Sequence, residues 1–233
     1  MNSLDLISIM KIISYNIHHC SQSKVDKLLS LGADLYIVPE LSDIDHVTLP
    51  SSYSMFWIGD NSNKKKGLGV IYNTIYNCKI ADWYNSVHEY ILPFWCDDIL
   101  ILAIWPTKTK KNKEKSYPQI TIDAIEDYVK HFKNNKVFIC GDFNCYVGQS
   151  GENSKYSIAK VFELLNIHNL KSLYHTTTKE KLGEELIPTF YYRFNKCSPF
   201  FIDYAFSNFE VKSFEILKWD RAMSDHCALV AQF

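Results

Sequence analysis

Asn16, Glu40, Asp142, Asn144, Asp203, Asp225 and His226 all stand inside apolar runs or at their ends. Carboxylates, amides and an imidazole brought to one place are the materials of metal-assisted hydrolysis. Carboxylate oxygens hold a hard cation or take a proton, and imidazole passes one on. The densest stretch is Val137-Phe138-Ile139-Cys140-Gly141-Asp142-Phe143-Asn144. Its apolar, β-branched run reads as a buried strand, and Gly141 permits a tight backbone at the strand's end. Alternation sends Asp142 and Asn144 to one side and Phe143 to the other. A carboxylate and an amide leaving a buried strand are costly unless they are hydrogen-bonded or face a cleft. Alone, the motif also fits an Asx turn that closes the strand. Asp203 sits among Phe200, Phe201, Ile202, Tyr204, Ala205 and Phe206, so its charge needs a partner, and a histidine would serve. Each residue has a purely structural reading: Asp203 as a buried hydrogen-bonder, His226 as a strand-edge histidine, Asn16 as a turn former, Glu40 as a solvated strand end. All of them at comparable positions point instead to one shared rim.

The elements that must carry this rim follow in order. Residues 7–15 read as a strand ending in Asn16. A short helix capped by Ser21 or Ser23, with Val25, Leu28 and Leu29 on its apolar face, stops at Gly32. Residues 34–38 are a second strand, ending in Pro39-Glu40. Further strands are expected over 53–58, 67–72 and 99–105. Pro118 opens a helix with Ile122, Ile125, Val129 and Phe132 on one face, and the strand over 136–141 follows. Ser157 caps another helix. Residues 176–185 read as a polar stretch, 189–193 and 200–206 as aromatic strands, 211–217 as a half-exposed strand, and 227–230 as a last buried one. Many short strands with few helices favour two sheets packed face to face with helices outside.

The 233 residues are 47% hydrophobic, enough for one sizeable core, and carry a net charge of −1. That balance excludes a global basic field for nucleic acid, so phosphate contacts would need local patches. Lys64, Lys65 and Lys66 form one such patch, and the loop from Lys108 through Lys110 to Lys115 forms another; each is also readable as a solvated loop. The seven cysteines are an odd number without a Cys-x-x-Cys pair, and several lie in apolar runs, which predicts free thiols in a reducing compartment. No secretory signal and no membrane-length apolar run is read, so a cytoplasmic protein without membrane association is expected. Met10-Lys11-Ile12-Ile13 resembles an alternative start, so residues 1–9 are expected to be a dispensable extension and 10–233 a single domain. No obligate protein partner is evident.

Ser14-Tyr15-Asn16, Pro39-Glu40, Gly141-Asp142-Phe143-Asn144, Ile202-Asp203-Tyr204 and Ser224-Asp225-His226 together resemble the endonuclease/exonuclease/phosphatase superfamily. That superfamily includes exonuclease III, abasic-site endonucleases and pancreatic-type deoxyribonuclease. The resemblance covers nearly the whole chain. It implies an α/β fold, a four-layered α/β sandwich of two packed mixed β-sheets flanked by helices, with the site at one end of the sheets. It implies Glu40 as the main ligand of Mg²⁺ or Mn²⁺, supported by Asn16, with Asp225 as a second or outer ligand. His226 would meet the scissile phosphate and be oriented by Asp203; Asp142 would position or deprotonate the attacking water, and Asn144 would orient it or the phosphate oxygens. Several positions depart from the pattern. Trp105 stands where several branches carry a catalytic histidine, and Tyr117 could fill the place of the tyrosine that abasic-site endonucleases use. His18 replaces an acid of that branch, Met223 its tryptophan, and Phe201 a common Arg or His. The expected activity is metal-dependent hydrolysis of phosphodiesters, foremost in DNA. Lys64–Lys66, Lys108 and Lys110 would grip phosphates, with Trp105, Tyr117 or Tyr192 stacking on bases. The alternatives are a phosphatase or phosphodiesterase on a small molecule or phospholipid, and a non-catalytic binding module on the same fold.

Overall fold

Ile99–Ile104 is apolar and buried at every position. A strand with no solvent face must have layers on both sides, and this one does. The computed structural model describes residues 9–60, 62–149 and 152–233. In chain order the elements are β1 (Lys11–Ser14), α1 (Gln22–Leu29), β2 (Leu35–Leu41), β3 (Tyr53–Gly59), β4 (Gly67–Asn73), β5 (Cys78–Ile80), β6 (Ile91–Cys96) and β7 (Ile99–Ile104). Then come α2 (Tyr117–Tyr128), β8 (Lys136–Asp142), α3 (Ile158–Ile167), β9 (Lys171–Ser172), α4 (Leu173–Thr178), β10 (Phe190–Tyr191), β11 (Pro199–Phe200), β12 (Asp203–Ser207), β13 (Ser213–Ile216) and β14 (Leu229–Gln232). One six-stranded sheet has the order β13-β14-β1-β2-β4-β3 and the other β5-β6-β7-β8-β12-β9, with β10-β11 a small ribbon. Both sheets are mixed: β1–β2 and β7–β8 are parallel, bridged by α1 and α2, and the other pairs are antiparallel.

Three buried clusters mark the layers. Ile12, Leu35, Val70, Phe94, Ile101 and Phe138 fill the space between the sheets. Ile125, Val161, Ile139 and Phe206 lie between α2, α3 and the second sheet. Val25, Leu28, Ile13 and Tyr36 lie under α1 against the first. The result is the four-layered α/β sandwich. No helix among the described residues is long and apolar enough to cross a membrane.

Topology gathers one rim. β8 ends at Asp142, and antiparallel β12 begins directly opposite, at Asp203. β14 pairs Leu229 with Ser14, so Asp225 and His226 lie beyond the end of β1, beside Asn16. Gly141 is required for a steric reason: at φ 154°, a Cβ there would lie 1.9 Å from the Ile104 carbonyl oxygen.

Several expectations are corrected. β2 does not end on Glu40 but runs on to Leu41, with the register slipping between Pro39 and Leu41, so Glu40 protrudes from a bulge at φ 65°. Asp203 begins β12 rather than sitting mid-strand. Asn144 lies past the end of β8 at φ 52°, so strand alternation does not orient it. The stretch read as polar begins inside helix α4. The hairpin β5–β6 has no counterpart among the expected strands; Pro93 lies in β6, where β5, ending at Ile80 opposite Phe94, no longer needs its amide. Part of the expected first strand, and the expected extension up to residue 8, lie outside the described residues.

Candidate active site

The buried half of the site is assembled by pairs that cross between the sheets. Asn16 Nδ2 donates to Asp142 Oδ2 at 3.0 Å, and Asn16 Oδ1 accepts from the His18 amide at 3.0 Å. His226 Nδ1 lies 2.9 and 3.1 Å from the two Asp203 oxygens, and its Nε2 lies 3.9 Å from Asp142 Oδ2. That contact orients the ring, with Nδ1 donating toward Asp203 and Nε2 facing Asp142. Supporting hydroxyls hold the backbone in place. Ser224 Oγ donates to the Asn16 carbonyl at 2.6 Å and accepts from the His226 amide at 3.0 Å. Thr189 Oγ1 accepts from the amides of Ile202 and Asp203, each at 3.0 Å. The Phe190 ring packs 4.6 Å from the His226 ring.

Asn16, Asp142, Asp203 and His226 are all at most 4% exposed. Burial disfavours the His226 cation, but the Asp203 and Asp142 carboxylates outweigh it and raise its pKa to about 9. Burial pushes Asp142 up to about 7, aided by Asp203 and opposed by His226 and Asn16. Both groups hold protons more tightly folded than unfolded. Their contribution to stability is therefore present at low pH and lost as pH rises, through about 7 for Asp142 and about 9 for His226. In EDTA the melting temperature is expected to fall from pH 7 to pH 10, and to fall less in His226→Gln. Parallel curves for the two proteins would show that His226 is not charged in the fold.

The outer half of the rim is more open. Glu40 Oε2 accepts from the His19 amide at 3.4 Å, and Oε1 lies 3.4 Å from the Lys66 ammonium. Burial alone would raise the Glu40 carboxyl; Lys66, the His19 amide and His18 hold it below the ordinary range. Asp225 Oδ1 lies 3.3 Å from His18 Nδ1. Burial lowers the His18 pKa against the pull of Asp225 and Glu40. His18, His19, Glu40, Asn144, Arg193 and Phe194 all have left-handed backbones, with φ from 41° to 65°. Such residues cost about 1–3 kcal/mol each and collect at functional sites.

Two clefts flank this rim. One of about 370 Å³ is walled by Tyr117, Asn144, Tyr146, Phe190, Tyr192 and Phe200. The other, about 680 Å³, has Lys66, Lys108, Lys110, Lys111, Glu89 and Tyr90 in its wall.

No protein-family model matches the chain, and no curated protein matches its sequence. Solved structures do. The endonuclease domain of TRAS1, a telomere-specific non-LTR retrotransposon, aligns over 97% of this chain and 98% of its own, with TM-score 0.64 and 11% identity. Truncated TDP2 from Caenorhabditis elegans aligns over 97% and 98%, with TM-score 0.61 and 14% identity. An endonuclease/exonuclease/phosphatase from Beutenbergia cavernae aligns over 96% and 71%, with TM-score 0.60 and 11% identity. The chain has the endonuclease/exonuclease/phosphatase fold.

On this fold the expected site residues separate into groups. Asp142, Asp203 and His226 form the compact set, with one potential ligand atom from each lying within 4.8 Å of the others. Asn16 joins them through Asp142. Glu40 and Asp225, the expected metal ligands, line the outer half. Their oxygens suit a hard divalent cation, and Glu40 already faces an ammonium. Asp142 makes the Asx-type turn, its Oδ1 accepting from the Asn144 backbone amide at 2.8 Å, while Asn144 Nδ2 donates to the Pro106 carbonyl at 3.0 Å. Tyr117 is the first residue of α2 rather than preceding it, and Asp142 adds to the burial that raises its pKa.

Two substrate-contact expectations are corrected. Trp105 is 2% exposed, edge-on to Tyr90 at 5.0 Å, so its faces are not open for a base. Lys64 is spent on Asp43 at 3.4 Å and Asp45 at 2.8 Å. Lys65 is exposed, and Lys66 sits between Glu40 and the Trp105 ring, 5.4 Å from its centroid. Lys108 lies over Tyr117, 5.5 Å from the ring centroid, and Lys110 lines the larger cleft. Sequence reasoning missed Thr189, whose buried hydroxyl positions Asp203. A threonine two residues before a tyrosine in an aromatic run carries no signal of that role.

Proposed function

We propose that residues 10–233 act as a single-domain, divalent-metal-dependent phosphodiesterase that cuts nucleic acid, DNA foremost, by in-line attack of water. The observation that carries the hydrolytic part is the buried relay Asp203–His226–Asp142, with Asn16 bonded to Asp142 at 3.0 Å. Glu40 and Asp225, assisted by Asn16 Oδ1, would hold Mg²⁺ or Mn²⁺. When bound, the cation supplies neutralisation of the charge that builds on the phosphoryl oxygens and the leaving oxygen.

The chain's own groups do the rest. His226, kept cationic by its carboxylates, points Nε2 into the site and donates to a phosphoryl oxygen. Asp203 holds that ring in place. Asp142 takes the proton of the attacking water, and its pKa near 7 suits a base at neutral pH. Asn144 orients the water or the phosphate. Tyr117 donates toward the phosphate from the α2 side, and Tyr117→Phe is expected to cost about 10–100-fold in rate, as removal of a hydrogen bond to a charged group does.

A nucleic-acid substrate is supported by the lysine cleft on one flank and the aromatic cleft on the other, which has room for a planar base. Lys108→Ala with Lys110→Ala is expected to raise KM for DNA and to flatten its dependence on salt, the slope of log KM against log salt concentration falling by about 0.9 for each phosphate the variant no longer neutralises. An unchanged salt slope would remove these lysines from the substrate path. The free thiols fit a reducing cytoplasm.

The deciding experiment gives the purified protein Mg²⁺ or Mn²⁺ and tests supercoiled plasmid, a duplex with one abasic site, and single-stranded RNA. Nicking by the wild type but not by Glu40→Gln is the expected result. Cutting at the abasic site alone would define a repair enzyme despite His18 and Met223. Release of phosphate or a headgroup from small esters, without nucleic-acid cleavage, would overturn the substrate assignment.

A further inference from the structure

The hairpin β5–β6 brings two cysteines face to face. Cys78 and Cys96 are direct cross-strand partners, with sulfurs 3.1 Å apart and both thiols free. The Asp97 amide donates to the Asn77 carbonyl at 3.0 Å, one step outside the pair, so Cys78 and Cys96 occupy a non-hydrogen-bonded pair. Such pairs bring Cα atoms to about 4.5 Å. That spacing is at the short end of what a disulfide spans, about 4.4–6.8 Å. The Asp97 side chain also accepts from the Asn77 amide at 2.9 Å, clamping the backbone beside the pair.

Access differs between the two. Cys96 is fully buried, whereas Cys78 is half-exposed on β5, the edge strand of its sheet. Hydrogen bonding to Cys78 and burial raise the Cys96 pKa far above that of a free thiol. An oxidant therefore meets Cys78 first, with Cys96 waiting as the second sulfur.

The turn between these strands reaches the lysine cleft. Glu89 accepts from Thr109 Oγ1 at 2.5 Å and lies 3.2 Å from the Lys111 ammonium. The Tyr90 carbonyl accepts from the Trp105 amide at 2.9 Å, and the Tyr90 ring packs on Trp105. Glu89 and Tyr90 of this turn are thus what the 107–111 loop leans on.

We propose that Cys78 and Cys96 form a reversible disulfide that staples the edge strand β5 to β6, at the end of the hairpin away from the 81–90 turn. The oxidant is a small-molecule disulfide, RSSR. The Cys78 thiolate attacks one of its sulfurs, giving a mixed disulfide and releasing RSH. The Cys96 sulfur then displaces the second RSH from Cys78, its proton leaving with that thiol. Two thiols and RSSR become one protein disulfide and two RSH, and a reducing thiol pool reverses the exchange.

The test treats full-length protein with oxidised or reduced glutathione, alkylates remaining thiols under denaturing conditions and maps the peptides by mass spectrometry. The expected result is a linked peptide pair holding Cys78 and Cys96, with two hydrogens removed. It should form in Cys197→Ser, be absent in Cys78→Ser, and disappear on return to reduced glutathione. Hydrogen exchange at the amides of 79–95 should slow in the oxidised form. Alkylation of both residues under conditions that modify exposed Cys197 would overturn the proposal. So would a stable glutathione adduct on Cys78 without the bridge.

Discussion

His226→Ala is expected to lower phosphodiester hydrolysis by about 10³–10⁴-fold, because proton transfer and charge stabilisation at the phosphate disappear together. The variant also leaves Asp142 and Asp203 buried without the cation between them, and uncompensating a buried charge costs about 3–5 kcal/mol of stability. His226→Gln separates the two effects. Its amide can still donate to Asp203 and fills similar space, but it carries no charge and passes no proton. The expected outcome is a folded protein by circular dichroism with turnover as low as that of His226→Ala. Asp203→Asn should fall beside it, since an amide in that place no longer holds the charged imidazole. A His226→Gln variant with wild-type turnover would remove His226 from the chemistry and reduce the relay to a structural cluster.

Glu40→Gln is the second large effect, and it should appear first in binding. Weakening a mere outer-shell partner of a metal typically costs about 10–100-fold in affinity, so removing a direct carboxylate ligand should cost at least that. Titration of Mn²⁺ followed by the resonance of the free ion measures this without any substrate. Lys66→Met is expected to act in the opposite direction. The ammonium 3.4 Å from Glu40 competes for the same carboxylate, so removing it should tighten Mn²⁺. Glu40→Gln with undiminished Mn²⁺ affinity would move the cation site elsewhere, to the compact Asp142–Asp203–His226 group in the first instance. Opposite shifts in the two variants, with melting temperatures close to wild type, would tie the cation to Glu40.

The rim itself was legible in the chain because burying charge is costly. Asp203 among aromatic residues demanded a partner, and His226 is that partner at 2.9 Å. Asp142 at the end of an apolar run demanded a donor, and Asn16 supplies one from the other sheet. What escaped has physical reasons as well. β5 is three residues long, and Pro93 disguises β6, so the hairpin left no periodic trace. Tyr90, at the end of that hairpin, is what covers Trp105, so a ring expected to stack on bases is shut away. Helix α4 was hidden by Thr176, Thr177 and Thr178, whose branched side chains favour extended backbone. Lys64 counted as a phosphate contact because its acid partners Asp43 and Asp45 lie some twenty residues earlier, beyond the reach of local pattern. Glu40 was placed correctly at the rim, but the bulge that turns it outward is a property of register, which one strand's sequence does not encode.

The division of the rim between two sheets also makes the proposed hydrolysis a gauge of how those sheets sit on each other. Asn16, Glu40, Asp225 and His226 travel with the first sheet, and Asp142 and Asp203 with the second. The bonds Asn16–Asp142 and His226–Asp203 are struts across the seam. A small slide between the sheets would break both while leaving the ladders within each six-stranded sheet whole. Warming should therefore silence turnover several degrees before the far-ultraviolet signal changes. Slackening the seam, by trimming Phe138 where it fills the space between the sheets, should widen that gap even though the residue touches nothing in the site.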